Sequence, residues 1–343
     1  AKAVYYLEQE LQSNGYESLL CCTGYNLDIK KNYLNLILSK KVDGIILVGS
    51  NFIGTNEEEN QYIKDVSAQV PIMLLNASFD YPNVYSTLCD DYTSMFEATV
   101  SMLDAGIEDI LYLYNSNSYS GVKKLGGFRA AMEAHSVPDY EKRILFYEGD
   151  PQQMDDVANY LERLSKKKLS FHGVIASEDP LAIGAMKYAR RQGLCVPEDL
   201  SVIGYNNSML TTCCTPELTS VDNRLETQTH QLVQTLLGVL QGEEMPKNPF
   251  FPANLSNEAL HYFKVFKYTK NNLWMGKKDE NIYGQRLFTA DRDSPKCCTT
   301  IMQQPHRFWI TTATSTRRRF MRTVSSKISH RYGSAATIIN GVR

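Results

Sequence analysis

Side chains able to do chemistry are plentiful in these 343 residues, but they rarely stand at catalytic spacing. A nucleophile elbow, a P-loop, an HExxH pair and a dinucleotide fingerprint are all missing. The six histidines (His135, His172, His230, His261, His306 and His330) are scattered, none with a partner at triad or ligand spacing. Of eight cysteines, six form adjacent pairs: Cys21-Cys22, Cys213-Cys214 and Cys297-Cys298. Neighbouring cysteines rarely bridge each other, and no CxxC spacing is present to hold zinc. Cys21, Cys22 and Cys89 fall in apolar runs, which predicts buried, reduced thiols and favours the cytoplasm. The expectation is a binding protein, not an enzyme, with no cofactor and no metal.

The groups left over are hydrogen-bonding side chains in short loops: Gly49-Ser50-Asn51, Asn76-Ala77-Ser78, Asn115-Ser116-Asn117, Glu148-Gly149-Asp150, Ser177-Glu178-Asp179 and Tyr205-Asn206-Asn207-Ser208. Such groups make planar or bidentate hydrogen bonds to hydroxylated small molecules. They are also ordinary turn residues and helix caps, so one loop alone would carry no information. Six of them at equivalent places favour a cleft.

What makes the places equivalent is the pattern around them. Val4, Leu7 and Leu11 share one helical face, and Asn14-Gly15 ends that helix. Asp28 is a candidate cap for a helix through Ile37 and Leu38, followed by the apolar run Val42–Val48. Further helices are predicted over about 57–69, 92–105, 121–136, 153–166 and 179–192. Between them come the runs Pro71–Leu75, Val84–Leu88, Ile110–Tyr114, Ile144–Tyr147, Gly173–Ala176 and Leu200–Gly204. Strands alternating with helices of this length predict an α/β protein with parallel sheets covered on both faces. These are too many elements for one compact sheet, so two doubly wound lobes are expected, with ligand at the C-terminal ends of the strands.

Charge divides the chain differently. Residues 1–260 hold 20 basic and 34 acidic side chains, a balance of −14, while residues 261–343 hold 16 and 4, a balance of +12. The net −2 is therefore a cancellation. No apolar stretch reaches the ~18 residues of a membrane span, and the start shows no secretion signal. Because the chain opens on Ala1, already in helix, an upstream segment is expected.

The run Val196-Pro197-Glu198-Asp199-Leu200-Ser201-Val202-Ile203-Gly204-Tyr205-Asn206-Asn207, followed by Thr215-Pro216-Glu217-Leu218-Thr219-Ser220-Val221, resembles the signature of the lactose-repressor (LacI/GalR) family of transcription regulators. Val42–Ile46, Cys89-Asp90-Asp91-Tyr92, Lys124–Phe128 and Glu178–Met186 are similar to that family as well, and the likeness spans about residues 1–259. The resemblance implies a periplasmic-binding-protein type of core that closes over a small effector, pairs as a homodimer and sets the spacing of two helix-turn-helix headpieces on operator DNA. Neither a headpiece nor the family's first strand is found in this sequence. The implied division is an N-terminal lobe over 1–114, a C-terminal lobe over 115–215, a return crossing over 216–259 and a basic, poorly ordered tail over 260–343.

Carried over position by position, the resemblance places Asn76, Lys124, Glu178 and Asn206 in the effector pocket, with Pro151 where relatives often have an aromatic wall. Asn76 and Asn206 stand where Asp is frequent, and Lys124 where Arg is usual. An Asn donates as well as accepts, and a Lys lacks the guanidinium fork, so the effector is expected to be a sugar-like molecule of unspecified identity. Asp179 is assigned to the same region but is expected mainly to cap the following helix, and Asp90 and Asp91 to open another. The alternative reading is a periplasmic sugar-binding component of a transporter. For the tail, Arg317-Arg318-Arg319 with Trp274 and Trp309 would fit an electrostatic nucleic-acid arm, against a disordered extension without function.

Overall fold

The computed structural model describes residues 2–24, 26–54, 56–167, 169–255 and 335–341. Expectations for 256–334, including Cys297-Cys298, both tryptophans and the arginine cluster, lie outside the described residues. In chain order the elements are α1 (Lys2–Ser13), β1 (Tyr16–Cys22), α2 (Leu27–Leu38), β2 (Gly44–Val48), α3 (Glu57–Ser67), β3 (Ile72–Leu75), β4 (Val84–Cys89), α4 (Asp91–Asp104), β5 (Ile110–Tyr114) and α5 (Tyr119–Ala134). Then come β6 (Ile144–Phe146), α6 (Met154–Lys166), β7 (Gly173–Ala176), α7 (Asp179–Gln192), β8 (Ser201–Tyr205), β9 (Thr219–Asp222), α8 (Leu225–Leu240), β10 (Phe250–Phe251), β11 (Asn254–Leu255) and β12 (Ala335–Gly341). Among the described residues no helix is long and apolar enough to cross a membrane.

The strands form two sheets, ordered β1-β12-β2-β3-β4-β10 and β11-β9-β8-β7-β5-β6. Pairing is parallel throughout except at β12 and β11. Each buried strand serves two cores, which is why its sequence reads as an unbroken apolar run. In β2, Ile45 and Leu47 pack with Leu34, Ile37, Ile63 and Val66 of α2 and α3, whereas Ile46 packs on the other face with Leu7, Leu11, Leu232 and Leu236 of α1 and α8. In the second sheet Leu111, Leu113 and Val174 meet α6 and α7, while Ile110, Tyr112 and Ile175 meet α4 and α5. A Cβ at Gly127 of α5 would lie 2.2 Å from the carbonyl oxygen of Tyr92 in α4. Glycine there lets the backbones of the two helices approach each other closely.

Several expectations need correction. The lobe boundary at 114 falls too late: β5 lies between β7 and β6 in the second sheet, and α4 packs in the second sheet's core. The chain first changes lobe after Cys89, returns between β9 and α8, and crosses again between β10 and β11. Propensity cannot show this, because α4 would look the same over either sheet. Asn26, not Asp28, caps α2, its side chain accepting from Ile29 N at 3.0 Å. Cys89 is buried, but Cys21 is only partly covered and Cys22 is exposed, since β1 is an edge strand. Within the stretch read as tail, residues 335–341 form a strand, between β1 and β2 and antiparallel to both.

Candidate functional site

The C-terminal ends of the strands bring most of the proposed residues into one connected arrangement. Lys124, on α5, is buried, with 7% of its surface exposed. Its ammonium donates to the Ser177 carbonyl at 3.1 Å and lies 3.7 Å from the centre of the Tyr205 ring. Tyr205, the last residue of β8, donates its hydroxyl to Asp91 Oδ1 at 2.7 Å. The other oxygen of Asp91 accepts from Asn76 Nδ2 at 3.1 Å, and Asn76 Oδ1 accepts the Cys89 amide at 3.1 Å. Asn76 thus reaches from the end of β3 to the start of α4, using its donor and its acceptor together. An Asp at 76 would lack the amide donor that Asp91 accepts here and would set two carboxylates face to face.

Glu178 follows β7. Its carboxylate accepts from Asn115 Nδ2 at 2.7 Å. Burial pushes its pKa above the usual carboxylate range, with Lys124 and the Asn115 hydrogen bond partly offsetting that rise. Asn206 follows β8 with φ +94°, and Asn76 has φ +57°, left-handed backbone that Asn tolerates better than most residues. Asn206 Oδ1 accepts from Asn223 Nδ2 at 3.2 Å.

Asp179 does not cap its helix. It is fully buried, and its oxygens accept the Ser220 hydroxyl at 2.6 Å and the Ser208 amide at 2.7 Å. Burial raises its pKa, with those hydrogen bonds working in the opposite direction. A Cβ at Gly204 would stand 2.5 Å from Asp179 Oδ1, so glycine makes room for this carboxylate. Asp179 therefore holds the 206–208 loop against β9. Pro151 sits half-buried in the turn after β6, where the Gln152 amide donates to Asp150 Oδ1 at 2.9 Å. Close by, Phe146, Tyr147, Glu148, Tyr160 and Arg163 line a separate recess of about 390 Å³.

Asp91, Asn115 and Asn223 join the arrangement, although sequence reasoning gave Asp91 only a helix-opening role, placed Asn115 in a ligand-facing loop without a partner, and did not single out Asn223. The pairing of Asn115 with Glu178 joins residues 63 positions apart, which spacing alone does not reveal. A further bridge links the lobes: the Ser50 hydroxyl, after β2, donates to Ser118 Oγ at 2.8 Å, and Ser118 caps α5. In the first lobe a buried lysine, Lys30, donates to the Asn51 carbonyl at 2.6 Å, and burial lowers its pKa.

The set is one of donors and acceptors without a nucleophile and base pair, and among the described residues no cluster of His, Cys, Asp and Glu could hold a metal ion. Comparison with known proteins fits that chemistry. A family model described as periplasmic binding protein-like domain matches residues 101–256. The chain is 48% identical over 260 residues to an HTH-type transcriptional regulator of Lachnoclostridium phytofermentans, covering 76% of each chain. The crystal structure of the Escherichia coli transcriptional repressor AscG aligns with a TM-score of 0.63 at 25% identity, over 75% of this chain and 92% of that one. A sugar-binding transcriptional regulator of the LacI family from Escherichia coli, solved with phosphate, aligns at 0.57 and 26% identity, over 67% of this chain and 81% of that one. With its two-sheet core and a regulator alike over three quarters of its length, the chain belongs to the LacI family of transcriptional regulators.

Proposed function

We propose that the space between the two lobes receives a small, hydroxylated, sugar-like effector, and that Asn76, Lys124, Glu178, Asn206 and Pro151 line it, with Asn115 beside Glu178. Asp179 acts behind them as the anchor of the 206–208 loop. The observation that carries this reading is the continuous path Asn76–Asp91–Tyr205–Lys124, which joins the end of a strand in one sheet to the end of a strand in the other. A ligand that takes over one of these bonds shifts the balance between lobe arrangements by its differential affinity for them. The sugar-binding relative supports the choice of ligand class. The protein works as a cytoplasmic homodimer, and the lobe shift is passed on to operator DNA through headpieces of the helix-turn-helix kind.

The test is a thermal-shift screen of monosaccharides, disaccharides and nucleosides. A stabilising ligand is expected, and its shift should disappear in Asn206→Ala and Lys124→Ala. A ligand whose shift survives both substitutions would remove these residues from the site.

A further inference from the structure

The polar side chains of α6 fall into two groups. Asp155 pairs with Lys187 and Arg191, Asn159 accepts from Arg191, and Glu162 holds Lys166. Asp156, Tyr160 and Arg163 turn instead toward the end of β6, and among the described residues their side chains make no hydrogen bond or ion pair. They form one wall of the recess of about 390 Å³, and Phe146, Tyr147 and Glu148 form the other. That volume lies near the lower end for ligand pockets and suits a small molecule.

Asp156 and Arg163 are seven residues apart, which is two turns and ~10.5 Å of helix axis. Residues so spaced stand nearly in line, with Tyr160 between them. Because α6 begins shortly after β6 ends, the acidic end of this row is also the end that carries Glu148. The recess is therefore negative at the loop end, positive at the far end and aromatic between, where the Tyr147 and Tyr160 rings meet edge to face at 5.5 Å. Tyr147 is only 7% exposed, yet its hydroxyl has no hydrogen-bond partner among the described residues. A Cβ at Gly149 would stand 2.5 Å from that hydroxyl, so glycine keeps it uncovered. Burial, and to a lesser degree Asp156, holds the pKa of Tyr147 above the ordinary phenol value, which leaves the hydroxyl available as a donor.

We propose that this recess is a second ligand site and that it takes a short zwitterionic peptide, with the ammonium between Glu148 and Asp156, the carboxylate on Arg163 and an apolar side chain against the Tyr147 and Tyr160 rings. The guanidinium fork matches a carboxylate with two parallel hydrogen bonds. The ammonium gains from the carboxylates and from the neighbouring ring faces. Tyr147 donates to the peptide carbonyl between the two ends. A neutral sugar would bring no charge to either end, so the recess selects against the ligand class assigned to the space between the lobes. The inference does not depend on that assignment.

Calorimetric titration of the full chain with L-alanyl-L-phenylalanine tests this. Saturable one-to-one binding is expected. The same peptide acetylated and amidated at its ends should bind roughly tenfold more weakly or worse, the loss expected from a charged hydrogen bond, and so should the unblocked peptide to Arg163→Gln. Arg163 is exposed, so its substitution leaves the fold in place. Tyr160→Ala should weaken binding as well, and hydrogen exchange in the 147–156 segment should slow when the peptide is bound. Absence of saturable binding, equal affinity for the blocked peptide, or unchanged affinity in Arg163→Gln each overturns the proposal. Glucose binding that is lost in Arg163→Gln would overturn the ligand class.

Discussion

The hydroxyl of Tyr205 and the carboxylate of Asp91, 114 positions apart, share a 2.7 Å hydrogen bond at the point where the chain first changes lobe. Asp91 is 1% exposed and accepts one donor from the second sheet through Tyr205 and one from the first through Asn76. A buried carboxylate satisfied from both sides records whether the two sheets are correctly placed. Burial and the adjacent Asp91 raise the pKa of Tyr205 far above the ordinary phenol value, so this tyrosine keeps the proton that it donates to Asp91.

Replacing Tyr205 by Phe leaves one oxygen of Asp91 without its protein donor. A buried acceptor so stranded costs about 1–3 kcal/mol. Urea denaturation of Tyr205→Phe and Asn76→Ala should show losses of that order, with the double variant departing from their sum because both act on one carboxylate. Additive losses would mean that Asp91 does not couple them.

Glu178 gives a dependence on pH whose sign is fixed. Its folded pKa lies above the unfolded value of ~4.3, so the folded state binds more protons in the interval between the two. Its contribution to stability is complete below the unfolded value and is lost as pH rises through the folded one. Glu178→Gln keeps an acceptor for Asn115 and removes the buried charge. The variant should therefore gain in melting temperature relative to the parent at pH 7–8, lose that advantage near pH 4, and respond more weakly to effector. A constant difference across the range would contradict this.

Asp179→Ala strands the Ser208 amide and the Ser220 hydroxyl together, and charge-assisted hydrogen bonds are worth about 1.5–3 kcal/mol each. Gly204→Ala should reproduce part of that loss by pushing the same carboxylate aside. Faster hydrogen exchange confined to 206–208 in both variants is the expected signature, and an unchanged loop in Gly204→Ala would break the link.

Thiol labelling separates two cysteines that the sequence treats alike. Burial pushes the Cys89 thiol up to about 12, with Asp91 adding to the rise. At pH 8 the native protein should take up iodoacetamide at Cys22 and not at Cys89, both reacting in urea. Equal native rates would place Cys89 at the surface.

These cases also show what the residue pattern could and could not convey. The order of strands and helices was legible, because a strand such as Gly44–Val48 faces two cores and so cannot carry a polar residue without penalty. The loop chemistry at strand ends was legible for the same reason. Membership of a sheet was not: β5 reads the same in either lobe, and only its pairing with β6 and β7 assigns it. Nor could β12 be foreseen, since its partners lie some 290–320 positions away. Asp179 reads as a cap, because a helix follows it directly. Its true partners, Ser208 and Ser220, lie 29 and 41 residues downstream.

Ser50 and Ser118 permit the most direct test of lobe closure. Ser118 Oγ accepts from two groups, the Ser50 hydroxyl across the lobes at 2.8 Å and the Gly121 amide of its own helix at 3.3 Å. Ser50→Ala removes the bridge and spares the cap; Ser118→Ala removes both. A net hydrogen bond of ~0.5–1.5 kcal/mol corresponds to roughly a two- to twelvefold change in an equilibrium. If that bond favours the lobe arrangement that binds effector, Ser50→Ala should weaken effector binding within that range by calorimetry, because affinity scales with the competent fraction. Its melting temperature without ligand should barely move. Ser118→Ala should show the same weakening together with a stability loss of about 1 kcal/mol from the missing cap. Equal effector affinity in Ser50→Ala and the parent would show that the bridge forms without regard to ligand.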